Sequence, residues 1–169
     1  AELNGARVLA LDVDDRRVEL ARGLGLGAVA RPSDAAEIAA YLGTLGPDLV
    51  IETTGAWGGF RQAIDLAREF TRIAVMGIYR TPPPPELAEA MHGQLFGYPS
   101  KFHYKRLEII GCGADPAAVT LPAPRIATPL SNWEYVLEQA ARGRLPLGRL
   151  VTHVLPPAAI ADALDSLAD

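Results

Sequence analysis

The sequence predicts an α/β fold built on a doubly wound parallel sheet. Short apolar runs recur along the first two thirds of the chain, each the length of a strand and bounded by turn residues. Segments with apolar residues at three- and four-residue spacing separate them, which is the mark of helices packed on a sheet. Glycine, threonine and acid residues gather where the runs end, the side on which open parallel sheets bind ligands.

Ala6 to Asp12 follows a glycine, carries Val and Leu, and ends in an acid, so it reads as a buried strand. Asp14 to Leu24 reads as a helix with Val18, Ala21 and Leu24 on one face, closed by Gly25 and Gly27. Ala28 to Ala30 is a short strand before Pro32. Ser33 is expected to cap a helix through Leu45, because its oxygen can take up a free N–H of the first turn; Gly46-Pro47 ends that helix. Asp48 to Thr53 is the clearest strand, Trp57 to Arg68 the next helix, and Arg72 to Met76 the strand after it. Crossovers between these parallel strands are expected to be right-handed. Thr81 to Tyr104, with Pro82 to Pro85 and Pro99, predicts a long excursion holding one short helix near Glu86 to Met91. Leu107 to Gly111 resumes as a strand. Asn132 to Arg142 predicts an amphipathic helix presenting Trp133, Val136, Leu137 and Ala140. Leu150 to Leu155 predicts a strand, and Pro157 to Leu167 a last helix with Ile160, Leu164 and Leu167 inward.

The chain has 169 residues, 49% hydrophobic and 21% charged, with a formal net charge of -4, which places it among ordinary globular proteins. No basic stripe suggests a nucleic-acid partner, and no apolar run is long enough to span a membrane. A signal peptide is not visible at Ala1 to Gly5. The single cysteine, Cys112, permits no internal disulfide and fits a reducing, cytoplasmic setting.

Asp12 is the first candidate for chemistry. An acid at the end of a dinucleotide-binding strand accepts hydrogen bonds from the adenosine ribose, and its charge repels a 2′-phosphate. The alternative is an aspartate that caps the next helix, a task Asp14 or Asp15 can also perform. Thr53-Thr54-Gly55 and Met76-Gly77-Ile78 follow the next two strong strands, where a glycine lets a flat ligand approach the backbone or simply makes a tight turn. His92, His103 and His153 are far apart in sequence, and no metal-ligand spacing occurs. Cys112 between Gly111 and Gly113 reads as a small packed thiol, and Trp57 and Trp133 as packing residues. Glu108, Asp115 and the Lys105-Arg106 pair read as solvated or turn charges. No glycine-rich phosphate motif is present.

In order, Gly5 to Asp12 with Arg16 to Arg22 and Leu24-Gly25, Pro47 to Gly55, Arg72 to Ile78, Leu107 to Cys112, and Leu150 to Pro156 with Ile160 to Leu164 resemble the coenzyme-binding part of medium-chain dehydrogenases/reductases. The zinc-type alcohol, polyol and threonine dehydrogenases belong to that family. The resemblance implies a Rossmann-like sheet that lacks its first strand and glycine loop, since members carry that loop roughly 20 residues before the ribose acid. It implies a cofactor domain over residues 1–125 with a proline-rich insertion at 81–104. Residues 126–169 would form a helix–strand–helix that packs toward an absent catalytic domain. Asp12 would hold the adenosine ribose and favour NAD over NADP, Arg17 would sit near the same ribose or the adenine, and Val13 would belong to the cofactor site. Thr53, Thr54 and Gly55 would line the groove, and Met76, Gly77 and Ile78 would meet the nicotinamide through backbone groups. No catalytic residue is expected in this segment, and zinc would enter only through the absent domain. The implied whole is a homodimeric or homotetrameric oxidoreductase moving hydride between the nicotinamide and an alcohol, polyol or carbonyl substrate, these 169 residues alone being inactive. A zinc-independent quinone-reductase type, or a non-catalytic Rossmann-like scaffold, are the other readings.

Overall fold

The structure, a computed structural model, describes residues 4–25, 27–97, 99–112 and 129–165. The chain divides into two compact units, Ala1–Asp115 and Pro116–Asp169. The first unit alternates strand and helix: β1 (Leu9–Leu11), α1 (Asp15–Gly23), β2 (Ala28–Ala30), α2 (Ala35–Leu42), β3 (Leu49–Glu52), α3 (Trp57–Leu66), β4 (Arg72–Val75), α4 (Pro85–Leu95), α5 (Lys101–Tyr104) and β5 (Glu108–Gly111). All strand pairing is parallel, as the apolar runs require. Leu9 aligns with Ala28 in β1–β2, Leu49 with Arg72 in β3–β4, and Arg72 with Glu108 in β4–β5. The Rossmann-like α/β class read from the sequence is the class observed.

The sheet is in two pieces. β1 pairs only with β2, and β3, β4 and β5 form a separate three-stranded sheet in that order. Apolar surface accompanies the interruption: Leu49 and Ile51 of β3 are 50% and 45% exposed. Around the larger sheet, Ala63, Ile64 and Ala67 of α3 and its end close on Ile73 of β4, Met91 and Leu95 of α4, and Leu107. Ile64 and Ile73 have no exposed surface, and each such side chain contributes roughly 1.5–3 kcal/mol by leaving water.

Local chemistry explains most boundaries. Asp14 caps α1 by accepting the Arg16 N–H at 2.8 Å. Thr71, fully buried, ties the turn between α3 and β4: its hydroxyl donates to the Pro47 carbonyl at 2.7 Å and accepts from the Arg68 N–H at 2.9 Å. Lys105 donates from Nζ to the Ala67 carbonyl near the end of α3. Glu108, exposed as expected, pairs with Arg72 across β4–β5 at 2.6 Å.

Several expectations are corrected. Asp34, not Ser33, occupies the N-cap position of α2; the Ser33 hydroxyl turns to Asp34 Oδ1, and Asp34 Oδ2 accepts the Arg31 N–H. That helix ends at Leu42, three residues early, where Gly43 takes φ 62°. The 81–104 segment is not one short helix in a loop. It holds α4 and α5, because Pro85 opens α4 where its missing N–H costs nothing and Ser100 caps α5 through the His103 N–H.

In the second unit, α6 (Pro129–Ala141) is followed by a 3-10 turn at Leu147–Leu150, another at Pro157–Ala159, and α7 (Ile160–Asp165). The strand expected over Leu150 to Leu155 does not form. No strand of this unit stands beside it among the described residues, and a strand without a ladder leaves its backbone to water. Val154 is 89% exposed. The expected inward faces are open as well: Trp133 and Leu137 of α6 and Ile160 and Leu164 of α7 are each more than half exposed. Asp115 and Leu167 lie outside the described residues.

Candidate functional site

Eight of the nine sequence-predicted site residues follow the carboxyl ends of β1, β3 and β4, Arg17 stands in the first turn of α1, and the structure gathers them into two groups. The first follows β1. Asp12 Oδ1 accepts the Asp14 N–H at 2.9 Å, while Oδ2 faces Arg17 Nη1 at 3.6 Å. The carboxylate is about one third exposed (32%) and the guanidinium mostly exposed, so acceptor positions on Asp12 remain open to a ligand. Val13 is exposed, and its carbonyl accepts from Arg31 Nη2 at 3.2 Å. Arg31 also pairs with Asp15 at 3.1 Å. It thus ties the loop after β1 to the residue following β2, a contact sequence reading did not single out. Asp14 does the helix capping, which leaves the strand-end Asp12 free of the competing role.

The second group follows β3 and β4. The N–H groups of Met76 and Gly77 donate to the Glu52 carbonyl at 2.8 and 3.1 Å, drawing the loop after β4 against the end of β3. Gly55, at φ 65°, would place a Cβ 2.7 Å from the Ile78 carbonyl oxygen. A Cβ on Gly77 would lie 2.5 Å from Glu52 Oε2 and 2.7 Å from the Gly55 Cα. Only hydrogen fits at both positions, so the two loops meet backbone to backbone and together make the surface beyond the ends of β3 and β4. Thr53 is exposed beside it, as are Met76 (55%) and Ile78 (76%).

Beneath this surface lies a buried acid that the sequence reading passed over as the tail of a strand. Glu52, 3% exposed, accepts hydrogen bonds from the Thr54 N–H at 2.7 Å, the Thr54 hydroxyl and the Tyr79 hydroxyl. Burial alone would push its pKa up. The Thr54 and Tyr79 hydroxyls, with the Thr54 and Gly55 N–H groups, outweigh that and hold it below the ordinary carboxylate value. Burial and the neighbouring Glu52 charge push the Tyr79 phenol strongly upward. The Thr54 hydroxyl gives its proton to Glu52 and accepts from the Ala56 N–H at 3.0 Å, so its hydrogen bonding is directed into the protein. Tyr79 packs on Trp57 with ring centroids 4.4 Å apart, and Trp57 donates from Nε1 to the Thr81 carbonyl.

A cavity of about 490 Å³ lies elsewhere, between α2 and α3, lined in part by Ala35, Leu42, Gln62 and Arg68 and by none of the nine residues. Among the described residues no cluster of three or more His, Cys, Asp or Glu side chains fits a metal ion, so no zinc chemistry is derived from them. Cys112 is exposed, not the packed thiol expected. Among the described residues no helix is long and apolar enough to cross a membrane.

Parallel strands alternating with helices, with glycine-floored loops at the strand ends, define a Rossmann-like α/β protein. The chain belongs to the zinc-binding dehydrogenase family, whose profile matches residues 1–114. It is 28% identical over 167 residues to the 2-dehydro-3-deoxy-L-galactonate 5-dehydrogenase of Pseudoalteromonas atlantica, covering 96% of this chain and 41% of that protein. Its fold is similar to that of an alcohol dehydrogenase from E. coli CFT073 solved with NADH, with TM-score 0.67 and 20% identity over 98% of this chain and 42% of that one. It is also similar to the quinone oxidoreductase of Thermus thermophilus, solved alone and with NADPH, with TM-score 0.52 and 25% identity over 98% of this chain and 46% of that one. The chain therefore spans about two fifths of the length of the first of these relatives.

Proposed function

We propose that this chain is the coenzyme-binding portion of a zinc-type, NAD-preferring alcohol or polyol dehydrogenase. The observation that carries the reading is Asp12: a partly exposed carboxylate at the end of β1, oriented by the Asp14 N–H and faced by Arg17. Two ribose hydroxyls suit such a carboxylate, and a 2′-phosphate does not. Asp12, Val13 and Arg17 would hold the adenosine ribose. Thr53, Thr54, Gly55, Met76, Gly77 and Ile78 would line the groove, chiefly through backbone. The bound nicotinamide supplies hydride transfer; these residues supply its position.

The family assignment and the sugar-acid dehydrogenase relative support an alcohol, polyol or corresponding carbonyl as substrate of the whole protein. The break between the β1–β2 and β3–β4–β5 sheets is where a further strand carrying the glycine loop would stand. The separate sheets and the exposed Leu49 and Ile51 support that completion. Among the described residues no strand pairs with the outer side of β5, and with Ile109 and Ile110 more than one third exposed this supports a homodimer or homotetramer; the cysteine usage supports a cytoplasmic setting. The NADH- and NADPH-binding neighbours do not choose between cofactors; Asp12 supports NAD. The test is the cofactor preference of Asp12→Gly combined with Val13→Arg, in the longest form of the protein that expresses. NAD affinity is expected to fall about tenfold and NADP affinity to rise, from loss of two charge-assisted hydrogen bonds and of the repulsion. Unchanged affinities for both remove Asp12 from the cofactor site.

A further inference from the structure

A carboxylate almost wholly removed from water is costly unless each of its acceptor sites meets a donor. Glu52 meets that condition through groups from both groove loops. Oε1 takes the N–H and hydroxyl of Thr54, from the loop after β3, and Oε2 takes the hydroxyl of Tyr79, from the loop after β4. The surrounding chain is shaped to admit it. A Cβ on Gly77 would lie 2.5 Å from Oε2, and one on Gly59, in the first turn of α3, would lie 3.1 Å from Oε1. Every neighbour named here is a donor. An ionised carboxylate accepts from all of them at once, whereas a glutamine amide keeps one accepting oxygen and needs a hydroxyl to turn round and accept from its NH2, with the charge-assisted bonds lost.

The two loops so joined are those that meet backbone to backbone at Gly55, Gly77 and Ile78. We propose that Glu52 is the positioning residue of the cofactor groove: its carboxylate clamps the Thr54–Gly55 loop to the Gly77–Tyr79 loop and fixes the surface against which the nicotinamide half of the cofactor lies. The proposal rests on the cofactor reading above for the identity of the ligand, but not for the clamp itself. Glu52 acts without touching the ligand, through Thr54 and Tyr79. Trp57, stacked on Tyr79 and bonded to the Thr81 carbonyl, extends the same tie into the chain beyond the second loop.

The experiment compares the 169-residue chain with Glu52→Gln and Tyr79→Phe, using NMR. Tyr79→Phe removes one donor and keeps the ring, so it decides the matter if Glu52→Gln does not fold. In both variants amide hydrogen exchange at Gly55, Gly77 and Ile78 is expected to rise, about tenfold in Glu52→Gln, while the core amides of Ile64 and Ile73 keep their rates. With carbon-labelled tyrosine, the Tyr79 phenol is expected to ionise at lower pH in Glu52→Gln than in the parent, because the carboxylate's hydrogen bond and charge are gone while the burial stays. Where the parent binds NADH, Glu52→Gln is expected to weaken affinity about tenfold and to abolish the shifts at Gly55 and Gly77 while keeping that at Asp12. Unchanged exchange at the three loop amides, or an equal rise at Ile64 and Ile73, overturns the clamp. A parent that does not bind NADH overturns the cofactor reading, and the exchange and phenol comparisons still decide the clamp.

Discussion

Asp12 and Glu52 are both acids at strand ends, and their surroundings divide their work. Asp12 stands partly in solvent with an arginine 3.6 Å away, and Glu52 is sealed among hydroxyls and N–H groups. The first was legible in the sequence because a single acid closing an apolar run has a known use at that place. The second was not, because nothing in Leu49 to Thr54 says that the acid turns inward. Its signals lie elsewhere, in Gly59 and Gly77, which make room for it, and in Tyr79, which bonds it; only folding brings these together. Gly77 is the most exacting of them. Its hydrogen faces Glu52 Oε2 and the Gly55 backbone, neither of which is the free end of a flexible chain. Gly77→Ala is therefore expected to destabilise the protein by about 1–3 kcal/mol, as overpacking does, measured by denaturant unfolding. Stability equal to the parent would mean that the two loops are further apart than described.

Elements whose partners lie in the same unit were legible from their apolar runs. β3, β4 and β5 each pair with a neighbour, and β3 and β4 pack on α3, so pattern and structure agree there; β5 keeps its pairing while all four of its residues are exposed. Leu150 to Leu155 carries the same kind of pattern and is no strand, since a strand is a pairing and not a property of one run. The proline-rich segment misled in the opposite sense: proline reads as a breaker, yet Pro85 starts a helix that contributes Met91 and Leu95 to the core. Turns between elements hold by single residues that composition does not reveal. Thr71 bonds the Pro47 carbonyl and the Arg68 N–H from a site with no solvent. Thr71→Val keeps the shape and strands both partners. It is expected to cost about 1–3 kcal/mol in denaturant unfolding, with Thr71→Ser losing less. An equal loss in both would assign the effect to packing instead.

At the scale of the molecule, the family profile, the parallel topology and the two-part sheet agree. The first unit has a Rossmann-like α/β architecture, and the proposed groove is built from its strand ends. The order of strands and helices made the class readable, because each apolar run and each amphipathic segment votes for the same architecture. The sheet's division into two pieces was readable only as a missing motif. An exposed apolar edge follows from that missing motif, and the coordinates place it on Leu49 and Ile51 of β3. The most direct measurement of the central claim is a titration of the nitrogen-15-labelled chain with NADH, carried to millimolar cofactor and followed by amide shifts. The account predicts that Asp12, Val13, Gly55, Gly77 and Ile78 shift together along one binding curve, while Ala35 and Leu42 at the α2–α3 cavity stay fixed. Shifts confined to that cavity, or none at the ends of β1, β3 and β4, would contradict it.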